Sequence, residues 1–275
     1  MEKILTQEDY INNHNYLSFT RVNRFLKCEA AAAANYHEPS TPAMLIGSYV
    51  DAYFSGELEE FKSNHPEIFN SRTGELKSDF KKAEDIIKRI ESDEVLLEYL
   101  KGEKQKIMTG VIDGIPFKIK MDAYIPGERI VDLKVMKDFK KVWSDDFHSY
   151  VNFIKAYNYD IELALFQEIE SQNSGNRLPC FIAGITKEEP SDVGVFNLPN
   201  IDLDETMDTL RTSILPRIKG ILDGKIAPER CENCSYCRMT KKAKVLNFEL
   251  AGLTGDQLRA EGFESNDPLL VKEDK

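Results

Sequence analysis

Residues 106–138 constrain the fold most, because apolar and polar side chains alternate along this segment. Turn-forming pairs at Asp113-Gly114 and Pro126-Gly127 divide the segment into three runs. Successive side chains of a strand point to opposite faces, so this alternation is typical of strands with one buried face. The pattern therefore predicts three consecutive strands, joined by a hairpin and a second turn.

Apolar side chains at helical spacing flank this strand unit on both sides. The predicted helices are 17–36 with Ser18 as N-cap, 45–54 ended by Ser55-Gly56, 77–100, 150–171, and 204–222 with a kink at Pro216. Two further strands are predicted at 179–187 and 194–199, and 57–75 is predicted as a loop or lid. Together these elements predict an α/β or α+β layered fold, a central mixed sheet flanked by helices.

The predicted domain organisation is a single domain, because no long linker and no internal repeat interrupt the chain. We expect this domain to span residues 1–248, with a helical N-terminal flank over 1–100 and a cysteine cluster at 231–237. Residues 249–275 are acidic, and we expect them to form a mobile tail.

The net charge of −11 limits the ways in which this chain can bind nucleic acid. An acidic chain is not a general basic coat, so DNA contact requires a local basic surface or a metal-neutralised site. No apolar run approaches the ~20 residues of a membrane span, and the N-terminus lacks the pattern of a signal peptide. These features predict a cytoplasmic protein that does not bind membranes.

Two carboxylates and an amine are predicted to meet on the strand unit. Asp132 and Lys134 share one face of their strand, with Leu133 directed into the core, and the Pro126-Gly127 turn brings Asp122 beside Asp132. Carboxylate oxygens hold hard cations such as Mg²⁺ or Mn²⁺, which neutralise a scissile phosphate and activate water. Lys134 would hold or help deprotonate that water, and the Leu133 carbonyl is a further candidate ligand. The alternative is a surface salt bridge without catalytic function.

The Asp122, Asp132 and Lys134 pattern resembles that of the PD-(D/E)XK nuclease superfamily. Further motifs resemble its RecB-like branch. Asp51, with Gly47, stands in the place of the metal-binding His of a G-x-x-x-H motif, and Glu162 and Phe166 stand in place of a Q-x-x-x-Y motif. Gln105 lies near the position of a Glu that some relatives carry. The resemblance covers roughly residues 17–245 and implies the restriction-endonuclease-like core, with Asp51, Asp122 and Asp132 as metal ligands.

The order of elements most resembles phage and prophage RecE-type exonucleases. That resemblance implies a Mg²⁺-dependent (or Mn²⁺-dependent) enzyme that resects double-stranded DNA ends, usually 5′ to 3′, in recombination in a phage or its bacterial host. It also implies a RecT-type single-strand annealing partner and a ring-shaped homo-oligomer. Two alternatives stay open: an endonuclease of the same fold, and a non-catalytic DNA-binding or scaffold module that retains it.

A basic segment follows the strand motif and is the predicted DNA-binding surface, because phosphate tracking needs local positive charge. Its candidate residues are Lys137, Lys140 and Lys141. The neighbouring Trp143 is a candidate for stacking on a base, although a single Trp is more often a packed hydrophobe.

Three cysteines, Cys231, Cys234 and Cys237, are spaced closely enough for their thiolates to meet one metal centre. In some RecB-like nucleases one N-terminal cysteine joins three C-terminal ones around a [4Fe–4S] cluster, so the resemblance adds Cys28 to the set. A zinc site is the alternative, and a group of reduced thiols without metal is the third possibility. Cys180 lies in an apolar predicted strand and is expected in the core.

Overall fold

The computed structural model describes residues 15–144 and 148–242, together with Tyr10, Asn13 and Gln257. The described residues form two compact units. The larger unit contains the residues before Thr20 and those of 40–212, and the smaller unit contains 20–39 and the described residues from 213 onward. The predicted tail over 249–275 lies outside the described residues, apart from Gln257.

A five-stranded mixed sheet forms the centre of the larger unit. Its strands are β1 (Glu103–Ile112), β2 (Ile115–Ile125), β3 (Arg129–Met136), β6 (Cys180–Thr186) and β7 (Val193–Leu198), in the spatial order β1-β2-β3-β6-β7. Only the β3–β6 pair is parallel. The predicted strands and the predicted mixed sheet are confirmed.

The β1–β2 hairpin follows from its two-residue turn. Asp113 and Gly114 have positive φ values of 49° and 76°. Two consecutive positive φ values are the signature of the turn whose twist matches that of an antiparallel pair, and Asp-Gly is a preferred sequence for it. The turn fixes the register, in which Ile112 pairs with Ile115 and Lys106 with Met121.

A long crossover connects β3 to β6, as a parallel pair requires. It contains a small hairpin of β4 (Val142–Ser144) and β5 (Ser149–Val151), and then helices α7 (Phe153–Ala156) and α8 (Tyr159–Ser174). Helix α8 packs against β1, β2, β3 and β6. It thus covers the sheet face to which Asp132 and Lys134 belong.

Besides a 3₁₀-helical turn at Pro66–Ile68, four α-helices of the larger unit lie within residues 42–99, ahead of the sheet. They are α3 (Pro42–Ser55), α4 (Leu58–Asn64), α5 (Ser78–Glu91) and α6 (Glu94–Tyr99). Thr41 caps the start of α3 through its side-chain oxygen, and Gly56 ends it with a left-handed φ of 81°. Their apolar residues share one core with Val131 and Leu133 of β3. The larger unit also contains α9 (Asn200–Thr209), which packs against α8.

The smaller unit contains most of α1 (Phe19–Lys27), followed by α2 (Glu29–Ala33), α10 (Leu215–Leu222) and α11 (Ser235–Thr240). Arg217 of α10 joins its parts by ion pairs with Glu29 and with Glu229, the latter at 2.8 Å. No helix in the described part of the chain is long and apolar enough to cross a membrane.

Three predicted helices are interrupted where the sequence predicted continuity. The predicted helix 17–36 breaks at Cys28, which has extended backbone angles and precedes α2. The predicted helix 77–100 is two helices, because Asp93 leaves the helical conformation and caps α6. The predicted helix 150–171 begins as strand β5 and then breaks at Asn158, whose φ is 60°.

Two further expectations are corrected. Residues 57–75, predicted as a loop or lid, contain α4, because Leu58 and Phe61 lie one helical turn apart and pack on the core. In the predicted helix 204–222, the irregularity is a π-helical turn at Leu210–Ile214 just before Pro216. Pro216 lies where this π-helical turn passes directly into α10, and it has no N–H to donate to the preceding turn.

Candidate active site

The Asp132-Leu133-Lys134 strand places an ammonium group between two carboxylates. Lys134 Nζ lies 2.7 Å from Asp132 Oδ2 and 2.9 Å from Glu162 Oε2 of α8. The ring of Tyr159, one helical turn before Glu162, lies with its centroid 5.1 Å from the same nitrogen. Leu133 is buried in the core on the other face. The predicted alternation of these three side chains is therefore present.

Asp122 is held against β3 by its side chain. The β2–β3 ladder pairs Ile125 with Arg129 and continues to Ala123 with Val131. Beyond this pair the ladder ends, and the Leu133 N–H donates instead to the side chain of Asp122, at 2.9 Å from Oδ2. The carboxylate thus satisfies a backbone donor at this point of the sheet, and its other oxygen is directed towards β1.

Gln105 of β1 connects Asp122 to the helix that carries Asp51. Its Nε2 donates to Asp122 Oδ1 and to Asp51 Oδ1, each at 3.2 Å. Gln105 is buried and has a φ of 49°, a conformation that a non-glycine residue within a strand rarely adopts. This constrained residue lets one amide hold two carboxylates that would otherwise repel each other.

The buried charges shift the pKa values of this group strongly. Burial, with the charge of Asp122 next, raises the pKa of Asp51 to about 7. Burial and the neighbouring Glu162 raise the pKa of Asp132 well above its usual range, although Lys134 opposes this. Burial alone would lower the pKa of Lys134, but Asp132 and Glu162 outweigh it and raise that pKa. Lys134 is therefore an ammonium ion at neutral pH.

The donor set fits a hard divalent cation. Asp132 Oδ2, Glu162 Oε2 and Gln105 Oε1 are buried and make no hydrogen bond in the described structure, so the two contacts of Lys134 are ion pairs without hydrogen-bond geometry. Oxygen atoms of this kind are the ligands that Mg²⁺ and Mn²⁺ prefer. Burial first, and neighbouring carboxylates second, raise the pKa values of Asp51 and Asp132, and a bound cation would favour the ionised form of both.

The carboxylates form two pairs rather than one tight group. Gln105 joins Asp51 to Asp122, and Lys134 joins Asp132 to Glu162. Among the described residues, three or more Asp, Glu, His or Cys ligand atoms come within 4.8 Å of one another only in the cysteine group. Binding an ion through three of these carboxylates therefore requires side-chain movement.

Two tyrosines were not singled out from the sequence as site residues. Tyr159 follows the left-handed Asn158 and faces Lys134. Burial, followed by the charges of Glu162 and Asp122, raises the pKa of Tyr10 to about 12. Lys118 holds the Tyr10 segment by donating to the carbonyl of Asn13 at 2.7 Å. No sequence motif marks Tyr10, because its position depends on this long-range contact.

The predicted DNA-binding lysines lie on the exposed connection between β3 and β4. Lys137 and Lys140 are highly exposed and lie 3.9 and 3.6 Å from Asp138 and Glu188. Lys141 is exposed as well. These three exposed side chains belong to the segment that directly follows β3.

An aromatic pair continues this surface. Trp143 of β4 is 51% exposed and Tyr150 of β5 is 65% exposed. Their rings pack edge to face with centroids 5.4 Å apart. Trp143 is therefore not packed in a hydrophobic core, as most Trp residues are. Its exposed ring is accessible for stacking on a base.

The four cysteines predicted as a group do come together, in the smaller unit. The Sγ atoms of Cys28, Cys231, Cys234 and Cys237 lie within 4.8 Å of one another. Cys180 is separate and buried in β6, as expected.

Comparison with known proteins identifies the family. Residues 18–240 match the profile of DUF3799, a PDDEXK-like domain of unknown function. No curated protein sequence matches this chain. A crystal structure from Eubacterium rectale, described as a "Putative exonuclease", is 39% identical to this chain. It superposes with a TM-score of 0.85 over 92% of this chain and 100% of its own.

A second solved structure, SSO0001, is 12% identical over 82% of this chain with a TM-score of 0.29, a likeness too weak to indicate a shared fold. The family profile matches well over half of the chain, and its PDDEXK-like description agrees with the mixed sheet and the Asp122, Asp132 and Lys134 constellation. This protein is therefore a member of the DUF3799 family and of the PD-(D/E)XK nuclease superfamily.

Proposed function

We propose that this protein is a metal-dependent deoxyribonuclease that degrades double-stranded DNA from its ends. The observation that carries the proposal is the buried Lys134 ammonium, held within 2.9 Å of carboxylates from β3 and α8. A charged group of this kind is costly to bury, and a buried ionisable group with specific charge partners marks a candidate functional site. Family membership supports a nuclease, and the 39% identical neighbour supports an exonuclease.

Several side chains of the site have separate roles in the proposed phosphodiester hydrolysis. Asp122 and Asp132, with Asp51, Glu162 and the Leu133 carbonyl as further candidates, would hold the divalent cation. When bound, this ion would neutralise the scissile phosphate and lower the pKa of a coordinated water molecule.

Lys134 acts as a hydrogen-bond donor in this proposal. Its pKa is raised by two carboxylates, so it keeps its proton at neutral pH. A protonated amine orients the attacking water and stabilises negative charge on the phosphate, and it does not remove a proton. Asp132 and Glu162 hold the amine in place, because each lies within ion-pair distance of Nζ.

Gln105 and the Leu133 N–H set the position of Asp122. Each of the two Asp122 oxygens accepts one of these donors, which fixes the carboxylate plane. A ligand fixed by other groups of the protein loses little entropy on binding an ion.

The substrate surface is proposed to be the segment after β3. The exposed Lys137, Lys140 and Lys141 supply positive charge for the DNA backbone. Resection from 5′ ends, transfer of the 3′ strand to a RecT-type annealing protein, and a ring-shaped assembly extend the proposal through resemblance to RecE-type exonucleases.

The test compares linear and closed circular duplex DNA, each incubated with the protein and Mg²⁺. An exonuclease releases nucleotides from the linear duplex and leaves the circle intact, and labels at each 5′ end report the polarity. Cleavage of the circle would instead identify an endonuclease. The absence of any cleavage with Mg²⁺ or Mn²⁺, at a concentration where the protein binds DNA, would indicate a scaffold.

A further inference from the structure

The cysteine group of the smaller unit lies apart in the chain from the proposed nuclease residues and has its own chemistry. Cys28 Sγ lies 3.5 Å from Cys237 Sγ, and Cys231 Sγ lies 3.9 Å from Cys237 Sγ. All four Sγ atoms are within 4.8 Å of one another. These separations are far longer than the ~2.05 Å of a disulfide bond. All four cysteines are free thiols.

The spacing of the sulfur atoms distinguishes between the two metal centres that four cysteines usually hold. Four thiolates around one Zn²⁺ at about 2.3 Å form a tetrahedron whose edges are about 3.8 Å. The observed pairs of 3.5 and 3.9 Å match these edges. A [4Fe–4S] cluster places four iron and four sulfide atoms between its cysteines, so its thiolates stand farther apart.

The backbone around the cysteines supplies hydrogen bonds that suit thiolates. The Cys234 N–H donates to Cys231 Sγ at 3.3 Å, and the Cys237 N–H donates to Cys234 Sγ at 3.4 Å. Four thiolates around one Zn²⁺ carry a net charge of −2, which such N–H donors stabilise. These contacts are the outer-shell support that metal-bound ligands generally require.

The break in the first predicted helix lets Cys28 join the other three cysteines. Cys28 leaves the helical conformation between α1 and α2, with φ −166° and ψ 107°. Its side chain then joins the C-terminal cysteines, more than 200 residues away in sequence. Arg230, next to Cys231, donates to the Cys237 carbonyl at 2.6 Å and so holds the cysteine-bearing turn against α11.

The hydrophobic cluster around these cysteines is small. Its buried members are Cys28, Ala30 and Cys237, with Ala31, Cys231, Cys234 and Tyr236 packed beside them. Alanines and cysteines bury little apolar area, so this cluster contributes little hydrophobic stabilisation. Small structural elements with such limited cores are commonly stabilised by a metal.

We propose that Cys28, Cys231, Cys234 and Cys237 bind a single tetrahedral zinc ion that cross-links the two ends of the smaller unit. The ion is structural, because four protein ligands leave no open coordination position. Its role does not depend on the proposed nuclease function, and its test does not use nuclease activity.

The first experiment measures the metal in the full-length protein, purified anaerobically. Elemental analysis is expected to find one zinc per chain and no stoichiometric iron, and the visible spectrum is expected to be featureless. Replacing zinc with Co²⁺ is expected to give the intense visible bands of a tetrahedral thiolate site. Stoichiometric iron and sulfide would overturn the proposal in favour of a cluster, and a metal-free protein would overturn it as well.

The second experiment uses variants. Cys28→Ser and Cys237→Ser are expected to reduce the zinc content to background, whereas the matched control Cys180→Ser, which alters a buried cysteine outside the group, keeps it. If the variants do not fold, the wild-type protein still decides the question. Titration with a thiol reagent in the presence of a zinc indicator should release zinc only as four thiols react. Zinc release without thiol modification, or full zinc retention in Cys28→Ser, would contradict the assignment.

Discussion

Glu162 Oε2 lies 2.9 Å from Lys134 Nζ, so a carboxylate from helix α8 and the ammonium of strand β3 form a buried ion pair. Asp132 contacts the same nitrogen from its own strand at 2.7 Å. Lys134 therefore links the sheet to α8 at the centre of the candidate active site.

Lys134→Ala is expected to reduce DNA cleavage by about 100-fold or more, because a positioned hydrogen-bond donor that stabilises developing negative charge contributes on that scale. DNA binding should persist, since the exposed lysines remain. The substitution also leaves two buried carboxylates without their cation, which costs about 3–5 kcal/mol in the metal-free protein. Cleavage assays, filter binding and urea unfolding measure the three effects.

The control for this substitution is Lys88→Ala, which removes an exposed lysine that forms an ion pair with Asp85 on α5. It should leave cleavage and stability within experimental error, because exposed pairs contribute little. Wild-type cleavage by Lys134→Ala would exclude the proposed role.

Glu162→Gln should retain most of the activity, because the amide oxygen still presents a partial negative charge to the Lys134 ammonium. Removing one buried negative charge also relieves repulsion with Asp132, whose pKa Glu162 raises. The metal-free protein should therefore unfold at a higher urea concentration than wild type. Glu162→Ala, which leaves a space beside Lys134, should lose more activity than Glu162→Gln. If the two variants lose equal activity, the contact between residue 162 and Lys134 does not contribute to cleavage.

Gln105→Glu should lower the Mg²⁺ concentration needed for half-maximal cleavage, since it adds a carboxylate between Asp51 and Asp122. The same change should destabilise the metal-free protein, because three carboxylates then share a buried site. Thermal unfolding with EDTA and with Mg²⁺ measures both effects. A variant that is destabilised without EDTA dependence would argue against an ion at this position.

The raised pKa of Asp51 predicts a pH-dependent stability in the absence of metal. The folded state keeps the proton up to about pH 7, whereas the unfolded chain releases it near 3.8. The folded state therefore binds more protons between these values, so the free energy of unfolding falls as pH rises through this window and is lowest above it. Asp51→Asn should remove this part of the pH dependence. Urea unfolding in EDTA at several pH values, compared between the two proteins, provides the test.

Substitution of Lys137, Lys140 and Lys141 by Ala together should weaken DNA binding without altering the buried site. If all three lysines neutralise phosphates, the slope of log affinity against log salt should become less negative by about 0.9 for each phosphate that the variant leaves unneutralised. Saturating protein should restore most of the cleavage rate. An unchanged salt dependence would place the DNA elsewhere.

Much of the larger unit was predictable because its signals are local. The alternation in 106–138 reports burial of one sheet face, and Asp113-Gly114 favours a particular turn. Together with the Pro126-Gly127 turn between β2 and β3, the alternation puts Asp122, Asp132 and Lys134 near one another before any long-range contact is known. The predicted meeting of Cys28 with the C-terminal cysteines depended on family resemblance, and the structure places them together.

The features that were missed depend on tertiary contacts. Asn158 adopts a left-handed φ that starts α8 at Tyr159, although the apolar spacing continues through it. Gln105 has a positive φ, which its residue type does not predict. Tyr10 is positioned by Lys118 of β2, whose Nζ lies 5.0 Å from the centroid of the Tyr10 ring. Helical and strand periodicity describe which face is buried, and they contain no information about such individual backbone angles.

The position of Cys28 also affects how the chain matures on the ribosome. Its partner Cys237 follows 209 residues later, and between them the whole sheet is synthesised. At bacterial-to-eukaryotic elongation rates, Cys28 waits about 10–40 s for that partner. The sheet with its buried lysine can fold during this interval, while the thiol at position 28 stays open to oxidants and competing metals until Cys237 has been synthesised.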